Sequence, residues 1–373
     1  MTQNLNGAER CTVFASVLVA VFLLVCTGMG TVTAQSAPTE EFNKTYGGAD
    51  TEEGGSVLEG VDDAESVVET SDGGFALAGG SYSFGAGSQD AWLIKTDSNG
   101  NVEFNKTYGG ILFDTAEAVI ETSDGGFALA GKTESFSGGF SDLWLIKTDS
   151  NGNEQFNKTY GGPKSDFARS MVETSDNGFA LAGYTQSFST GGSFDEDAWL
   201  IKTDRFGTEQ FNVTFGGADE DVLSSMVQTS DGGFALAGDT ESFSSGGSDA
   251  WLIKTNASGN VEINETFGGA ANDDAASVVQ TSDGDFALAG LTESFDASFD
   301  AWLLKLSPGQ IGTGAGDECV DRRSLSRGQE GQECPADRGI SRGESREELD
   351  RSTGRNSDTS RRDRSRRNRG RSR

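Results

Sequence analysis

Residues 123–131 read Ser-Asp-Gly-Gly-Phe-Ala-Leu-Ala-Gly, residues 142–149 read Asp-Leu-Trp-Leu-Ile-Lys-Thr-Asp, and residues 156–162 read Phe-Asn-Lys-Thr-Tyr-Gly-Gly. Near-copies of this set recur five times between residues 41 and 306. Self-similarity at a fixed period is the signature of repeat architectures, in which each unit packs on its neighbours. Residues 41–306 are therefore interpreted as one repeat array rather than as two or three unrelated domains.

Each unit divides into four short segments with the composition of β-strands. In the first unit they cover residues 66–70, 75–79, 90–97 and 102–108. Turn residues such as Asp-Gly separate the segments, and none of the segments has the 3.6-residue apolar period of a helix. Four antiparallel strands that recur every 52 to 62 residues are typical of a β-propeller blade.

The two ends of the array are complementary. It opens on a fourth-strand sequence at residues 41–48 and closes on a third-strand sequence at residues 300–306. If these two segments pair, twenty strands make five complete blades. We therefore predict an all-β fold, a β-propeller of five four-stranded blades that is closed by the N-terminal strand. Loss of further C-terminal blades, or a linear β-solenoid, remains as an alternative.

The flanking segments differ from the repeats in composition. In residues 1–34, Arg10 precedes an uncharged apolar run at residues 13–26, and small residues stand before position 35, which predicts a signal peptide followed by a short linker at residues 35–40. The apolar run is shorter than the roughly 20 residues that span a bilayer, so no membrane span is expected in the mature chain. The Arg/Ser-rich residues 307–373 are predicted to be a disordered tail, either a polyanion-binding arm or the product of a shifted reading frame.

The chain is strongly acidic. Its formal net charge is -30, and it contains no His. Such a surface stays hydrated in concentrated salt, which indicates a halophilic protein, and we expect a monomer. It also argues against nucleic acid as a partner, because nucleic-acid binding needs clustered Lys and Arg. Cations and cationic partners are compatible with this charge.

Five aspartates stand at equivalent points ahead of the first strand of each unit. They are Asp62, Asp114, Asp166, Asp221 and Asp273. If their carboxylates converge around one face of a propeller, they could hold Ca²⁺ or another hard cation. The alternative is that each carboxylate caps its own loop by accepting hydrogen bonds from backbone N–H groups. No other cofactor is expected.

Six asparagines begin Asn-x-Ser/Thr sequences. They are Asn43, Asn105, Asn157, Asn212, Asn256 and Asn264. On exposed strands of an exported protein these would be glycosylation sites. The alternative is that Asn and Thr are simply favoured at these strand positions of a repeating motif.

Two aromatic residues also recur once per unit. The third-strand tryptophans are Trp92, Trp144, Trp199, Trp251 and Trp302, and the loop phenylalanines are Phe84, Phe136, Phe188, Phe243 and Phe295. The tryptophans are interpreted as filler between blades rather than as sugar-stacking platforms. The phenylalanines either form a contact surface or tuck under their loops.

The combination of Ser-Asp-Gly-Gly-Phe-Ala-Leu-Ala-Gly, Asp-Ala-Trp-Leu-Ile-Lys-Thr-Asp-Ser-Asn-Gly-Asn and Asn-Lys-Thr-Tyr-Gly-Gly resembles a tandem-repeat family of archaeal and bacterial cell-surface proteins. Its members are regarded as β-propellers distantly similar to Kelch blades. The resemblance covers residues 41–306 and, with the acidic composition, points to haloarchaea. It implies an exported module without an established catalytic signature.

The sequence gives little support to nucleophilic catalysis. There is no His, and residues 41–306 contain no Cys, so neither nucleophile–base pairing that uses these residues is available. We therefore expect that the chain is not an enzyme but a secreted or cell-surface binding module, whose partner is a protein or glycan of the cell surface. A structural, glycosylated envelope protein is the alternative, and a carboxylate-dependent hydrolase is a further one.

Overall fold

The computed structural model of the protein describes residues 41–48, 61–192, 195–295 and 298–307. The predicted signal peptide and linker, most of the insertion between the first two motifs and the predicted tail lie outside these residues. Nineteen β-strands and no helix are present in the described part. No helix there could therefore be long and apolar enough to cross a bilayer.

The strands form five antiparallel sheets that follow one another along the chain. The first sheet contains β1 (Ser66–Glu69), β2 (Phe75–Ser81), β3 (Asp90–Thr96) and β4 (Val102–Tyr108). The second contains β5 (Asp114–Glu121), β6 (Phe127–Thr133), β7 (Asp142–Thr148) and β8 (Glu154–Tyr160). The third contains β9 (Asp166–Glu173), β10 (Phe179–Thr185), β11 (Asp197–Thr203) and β12 (Glu209–Phe215). The fourth contains β13 (Asp221–Gln228), β14 (Phe234–Thr240), β15 (Asp249–Thr255) and β16 (Val261–Phe267), and the fifth contains β17 (Asp273–Gln280), β18 (Phe286–Thr292) and β19 (Asp300–Leu306).

The predicted all-β fold of repeated, blade-like sheets is confirmed. The strands of each sheet are hydrogen-bonded in chain order, as in the blades of a propeller, with four strands in the first four sheets and three in the fifth. The strand boundaries differ slightly from prediction. The first strands of the second to fifth sheets begin at the recurring aspartate itself, four residues earlier than expected.

Turn chemistry fixes each first hairpin. In the first sheet, Thr70 N donates to the Gly74 carbonyl at 2.9 Å, and Gly73 N donates to the Thr70 carbonyl at 2.8 Å. Asp72 accepts from the Thr70 hydroxyl at 2.6 Å. Gly73 has φ +82°, a conformation that costs little only without a Cβ. In the third sheet Asn177 takes this place at φ +62°, because Asn tolerates the left-handed region better than most residues.

The core lies between successive sheets. One cluster joins Ala78 and Leu93 of the first sheet to Phe127, Leu129 and Trp144 of the second, and three equivalent clusters follow along the array. The tryptophans of the first four sheets are 1–3 % exposed, which confirms that they are filler between blades. Burying a large aromatic side chain contributes roughly 2–3 kcal/mol.

A lysine on each third strand pairs with the aspartate of the turn between the first and second strands of the same sheet. The ammonium group of Lys254 is 2.8 Å from Asp231 and 2.7 Å from Glu262, and its side chain is 7 % exposed. Hydrogen bonds from Lys254 and Thr229 lower the pKa of Asp231 well below its usual range. An almost buried cation is thus paired, as it must be to avoid a large desolvation cost.

Side chains on the first strands also bond the first turn of the preceding sheet, across 50 to 53 residues of the chain. Ser71 donates from its backbone N–H to Glu121 at 2.6 Å, and Ser123 donates to Glu173 at 2.7 Å, each across 50 residues. Ser230 donates to Gln280 at 2.9 Å across the same separation. Each link therefore joins a turn to the first strand of the next sheet.

The predicted closing pair of strands is not among the strand pairs of the described residues. β19 pairs with β18 alone, and residues 41–48 form no described strand. These residues instead pack on the first sheet as a fourth strand packs on its following sheet. The Tyr46 hydroxyl donates to the Gly100 carbonyl at 2.8 Å, as that of Tyr108 does to Gly152 at 2.7 Å. Closure of the ring stays a prediction.

Candidate binding surface at the loop end of the sheets

The two ends of the sheets differ in construction. One end carries the tight turns between first and second strands and between third and fourth strands, and we call it the turn end. The other end carries the longer connections that follow the second and fourth strands, and we call it the loop end. First strands of neighbouring sheets contact each other, so the loops of successive sheets form a continuous row.

The five predicted aspartates lie at the loop end and cap it. Asp166 Oδ1 accepts from the Thr185 hydroxyl and from Ser187 N at 3.3 Å, while Oδ2 accepts from Gly162 N at 2.9 Å and from the Ser187 hydroxyl at 2.7 Å. The equivalent bonds to Gly and Ser or Thr recur at Asp62, Asp114, Asp221 and Asp273. These contacts are the loop caps that the sequence analysis gave as the alternative to cation binding. Their donors include side-chain hydroxyl groups as well as backbone N–H groups.

The structure does not bring these five carboxylates to one point. Over the described ranges, no group of three or more Asp, Glu, His or Cys side chains is arranged to hold a metal ion. Ca²⁺ binding by all five together stays a prediction for which the described residues provide no cluster. Each of the last four aspartates instead lies beside one other carboxylate, from the preceding sheet.

The recurring loop phenylalanines are partly exposed. Their exposed fractions range from 36 % for Phe84 to 59 % for Phe295. Each ring also packs on the tryptophan of its own sheet, with ring centroids 5.4–5.7 Å apart. The phenylalanines therefore combine the two interpretations, since one side of each ring covers the core and the other faces solvent.

An apolar patch lies where the first sheet meets the second. We define it by Tyr82, Ile111, Leu112 and Phe113, which are 38 %, 78 %, 45 % and 41 % exposed. Tyr82 and Phe113 contact each other edge to face at 6.2 Å. Leu112 N donates to the Ser135 hydroxyl at 3.0 Å, which fixes the loop on the second sheet. Neighbouring exposed apolar side chains are one feature that protein interaction sites share.

The patch is specific to one junction. Where the second unit begins with Ile111-Leu112-Phe113, the third has Pro163-Lys164-Ser165, the fourth has Ala218-Asp219-Glu220 and the fifth has Ala270-Ala271-Asn272. Units that are otherwise near-copies thus differ at this loop. Their packing does not require Ile, Leu or Phe there, because the other junctions form without them.

Beside the apolar patch, charged and aromatic side chains meet across the second to fourth sheets. The Arg169 guanidinium lies 5.6 Å from the Tyr184 ring centroid, and Lys132 lies 5.6 Å from that of Phe167. Phe167 and Tyr184 contact each other edge to face at 5.6 Å. We call these four residues, with Glu117 and Asp239, the mixed cluster. All six stand at positions that vary from unit to unit.

Burial changes the acidity of this cluster. It raises the pKa of Asp239 to about 6 against the opposing effect of Arg169. Burial, assisted by the nearby Glu65, also raises the pKa of Glu117. Burial and the charge of Glu196 raise the pKa of Tyr184 to about 12. The Asp239 carboxyl, with a pKa of about 6, can donate a hydrogen bond when protonated and only accept when ionised, so this cluster can bind a polar ligand in either role.

Four of the sequon asparagines lie on the fourth strands of their sheets, Asn256 lies in a turn, and Asn43 lies in residues 41–48, outside the described strands. Asn43, Asn105, Asn212 and Asn264 are exposed, while Asn157 and Asn256 are half-buried. Asn264 Oδ1 accepts from the Trp251 indole N–H at 2.6 Å, and the Asn212 amide donates to Glu209 at 2.5 Å. The side chains therefore also have a structural use, and their glycosylation stays a prediction.

At the turn end, a cleft of about 430 Å³ opens between the second and third sheets. Its walls include Lys147, Phe156, Glu173 and Phe206. The Arg205 guanidinium lies 4.5 Å from the Phe206 ring centroid, and Phe206 is 57 % exposed. Arg205-Phe206 replaces the Ser-Asn of the first two units, so this end also carries one divergent site.

The sequence interpretation missed both the apolar patch and the mixed cluster. It compared the units for the residues they share, whereas these are residues they do not share. The signal was present as the contrast between Ile111-Leu112-Phe113 and the polar tripeptides of later units. The meeting of Arg169 with Tyr184 depends on contacts between strands and has no local signature.

Comparison with known proteins places the chain only coarsely. No family model matches it. The Caulobacter vibrioides protein named Regulatory protein FlaEY is 25% identical over 254 residues, which is 59% of this chain and 26% of that protein. The chain thus spans about a quarter of that relative's length.

Several solved structures are similar in architecture. An α-L-arabinanase of Penicillium chrysogenum, solved with arabinobiose, has a TM-score of 0.43 at 10% identity over 66% of this chain and 76% of its own. An α-L-arabinofuranosidase of Fusarium graminearum has a TM-score of 0.40 at 10% identity, over 64% and 76%. A protein of unknown function from Bacteroides caccae has a TM-score of 0.38 at 12% identity, over 64% and 71%.

These comparisons correct one expectation. The sequence analysis expected that the chain is not an enzyme, yet the structures with similar sheets include arabinanases and an arabinofuranosidase. The expectation was wrong, because it was inferred from a repeated fold, and proteins with this kind of fold include enzymes. At such low identity the likeness carries no substrate or catalytic residue over to this chain.

Proposed function

We propose that the protein is an exported binding module that docks a partner protein of the cell surface through the loop end of its sheets. The observation that carries the proposal is the apolar patch, whose most exposed member, Ile111, is 78 % exposed. Exposed Ile and Phe that no neighbouring sheet requires are explained by a partner that covers them.

The surroundings of the patch have the composition of a binding surface. The mixed cluster adds Arg169 and Tyr184, residue types that often dominate the binding energy of interfaces. Its charged groups would orient a partner, while the apolar patch would supply the buried contact area. The high negative charge of the chain favours a partner with a basic or salt-screened surface.

Site-specific crosslinking tests the proposal. A photoreactive residue at Leu112, which is 45 % exposed, is compared with one at Val102, which is 48 % exposed and lies at the turn end. We expect one saturable adduct with envelope fractions of the native host at position 112, competed by the unlabelled chain. Equal labelling from both positions would contradict docking through the loop end.

A paired substitution sharpens the same test. Ile111→Ser with Phe113→Ser should weaken the competition at least about tenfold, which corresponds to about 1.4 kcal/mol. Val102→Ser serves as the matched exposed control and should leave it unchanged. A double variant that competes as well as the original chain would remove the apolar patch from the interface.

A glycosylated envelope component is a second candidate, supported by the exposed sequon residues Asn105, Asn212 and Asn264 on the outer strands. Intact-mass and peptide mapping of the protein from its native host tests it. Hexose-type increments on the Asn-x-Thr peptides would support this candidate, and bare peptides would count against it.

A further inference from the structure

A second aspartate recurs at the start of each third strand, and it meets the capping aspartate of the next sheet. Asp166 N donates to the carbonyl of Ser141 at 2.9 Å, which brings the start of β9 beside the start of β7. Asp142 follows Ser141, so its side chain lies next to that of Asp166. The same backbone bond joins the other three pairs of successive sheets at 2.7–2.8 Å.

Four such pairs of carboxylates are present in the described ranges. They are Asp90 with Asp114, Asp142 with Asp166, Asp197 with Asp221, and Asp249 with Asp273. All eight residues are at most 6 % exposed. None of the ion pairs found among the described residues involves any of them. The junctions therefore bury two acidic groups each without a paired Lys or Arg.

The two members of a pair differ in their hydrogen bonds. Asp166 accepts four hydrogen bonds, from Gly162, Thr185 and Ser187. Asp142 accepts one on Oδ2, from Gly138 N at 3.1 Å, while its Oδ1 is buried and has no partner. The Oδ1 atoms of Asp90, Asp197 and Asp249 are likewise without a partner. Burial and the neighbouring aspartate raise the pKa of Asp142.

The unpartnered oxygen points at the neighbouring carboxylate across a glycine. A methyl group built on Gly161 would lie 2.5 Å from Asp142 Oδ1 and 2.5 Å from Asp166 Oδ2. The two oxygens are therefore within about 5 Å of each other, a separation that one Ca²⁺ with bonds of about 2.3–2.6 Å can bridge. At Gly109, Gly216 and Gly268 the corresponding distances are no longer than 2.8 Å, so every junction requires a residue without a side chain here.

We propose that each junction between successive sheets binds a hard cation, with Ca²⁺ as the probe, between the unpartnered oxygen of the third-strand aspartate and Oδ2 of the next first-strand aspartate. The cation neutralises the two buried charges and gives the unpartnered oxygen a partner. Two carboxylates leave most of the coordination shell to water or main-chain oxygens, as Ca²⁺ sites tolerate. The sites join successive sheets and differ from a single site shared by all five capping aspartates.

Calorimetric titration of the purified full chain tests the proposal. The protein is first stripped with a chelator, and Ca²⁺ is added at constant ionic strength. Asp142→Asn and, at another junction, Asp197→Asn should each bind one equivalent fewer than the original chain. Asp149→Asn is the matched control, because Asp149 caps an exposed turn seven residues further on, and it should bind as many equivalents as the original chain.

Stability provides the second measurement. In chelator, Asp142→Asn should melt no lower than the original chain, since the substitution removes one of two facing charges. With Ca²⁺ the original chain should gain more in melting temperature than the variant. Absence of saturable Ca²⁺ binding by the original chain, or equal binding by Asp142→Asn, would overturn the proposal and leave protonation to neutralise the junctions.

Discussion

The fourth and fifth sheets have nearly the same third strand in different surroundings. β15 reads Asp-Ala-Trp-Leu-Ile-Lys-Thr and β19 reads Asp-Ala-Trp-Leu-Leu-Lys-Leu. Leu252 in β15 is 0 % exposed, whereas the equivalent Leu303 in β19 is 74 % exposed. The side chains of Lys254 and Lys305 are 7 % and 51 % exposed.

The difference shows where burial comes from in this array. β15 lies between two strands, and its sheet packs against a following sheet. β19 has one neighbouring strand in the described part of the chain. A strand of almost fixed sequence is thus core or surface according to whether another strand and another sheet pack against it, as expected for stacked repeats.

A disulfide that joins residues 41–48 to β19 should have the largest effect on the difference between β15 and β19. By analogy with the pairing of Lys106 with Leu93, Lys44 would stand opposite Leu303. With the four native cysteines replaced by Ser, Lys44→Cys with Leu303→Cys should form an intramolecular disulfide on oxidation. Constraining so long a loop should stabilise the fold by about 4–5 kcal/mol. Non-reducing gels and denaturant unfolding measure both outcomes, and disulfide-linked dimers alone would show that the two strands do not meet within one chain.

Truncating the equivalent leucines compares the two strands directly. Leu252→Ala should cost about 3 kcal/mol, because it leaves a cavity in the core between the fourth and fifth sheets. Leu303→Ala should change the free energy of unfolding by less than about 0.5 kcal/mol, since its side chain is exposed. Denaturant unfolding of the two variants side by side measures this. Similar costs would mean that the edge of β19 is covered in solution.

The equivalent lysines should show a similar contrast. Lys254→Ala removes a nearly buried side chain together with its ion pairs to Asp231 and Glu262, and it should cost about 2 kcal/mol. Lys305→Ala breaks ion pairs at 2.6 Å and 3.1 Å, but its side chain is half exposed, so it should cost clearly less than Lys254→Ala. Thermal unfolding at low and at high salt provides the control, because salt should weaken only the Lys305 contribution.

The smallest effect concerns Asp239 of the fourth sheet, which stands where the fifth sheet has the exposed Leu291. Because its pKa in the folded protein is about 6, above the ordinary 3.8, the folded state binds the proton more tightly than the unfolded state. Its contribution to stability is therefore full below about pH 4 and is lost as pH rises through about 6. Asp239→Asn should remove this dependence and stabilise the protein by about 1–2 kcal/mol at pH 7. Unfolding measured from pH 4 to 7 tests it, with Leu291→Asn as the control that should leave the pH dependence unchanged.

Much of the fold could be predicted because its signals are local. Asp-Gly turns, alternating apolar residues and the recurring Trp lie within single hairpins, and each hairpin forms from neighbouring segments. The only sequence evidence for closure was the number of strand-like segments, because closure itself depends on whether residues 41–48 and β19 come together. That is a contact across the whole array, for which a sequence has no local signal.

The candidate sites were less accessible to prediction. Asp166 was selected because it recurs, but its partner Asp142 was not, since the pairing depends on how one sheet stacks on the next. The equal recurrence of the third-strand aspartate was a usable signal. The exposure of Ile111 could not be derived from composition, because an apolar tripeptide between strands is as compatible with a buried loop as with an exposed one.

The side-chain links between turns have a consequence for how such a protein changes in evolution. Ser71 bonds Glu121, and Ser123 bonds Glu173, at the same separation of 50 residues. A gene duplication or deletion that adds or removes one whole unit would restore the same link at the new boundary. The number of sheets can therefore change by recombination between near-identical segments, because the same contact forms again at each new boundary.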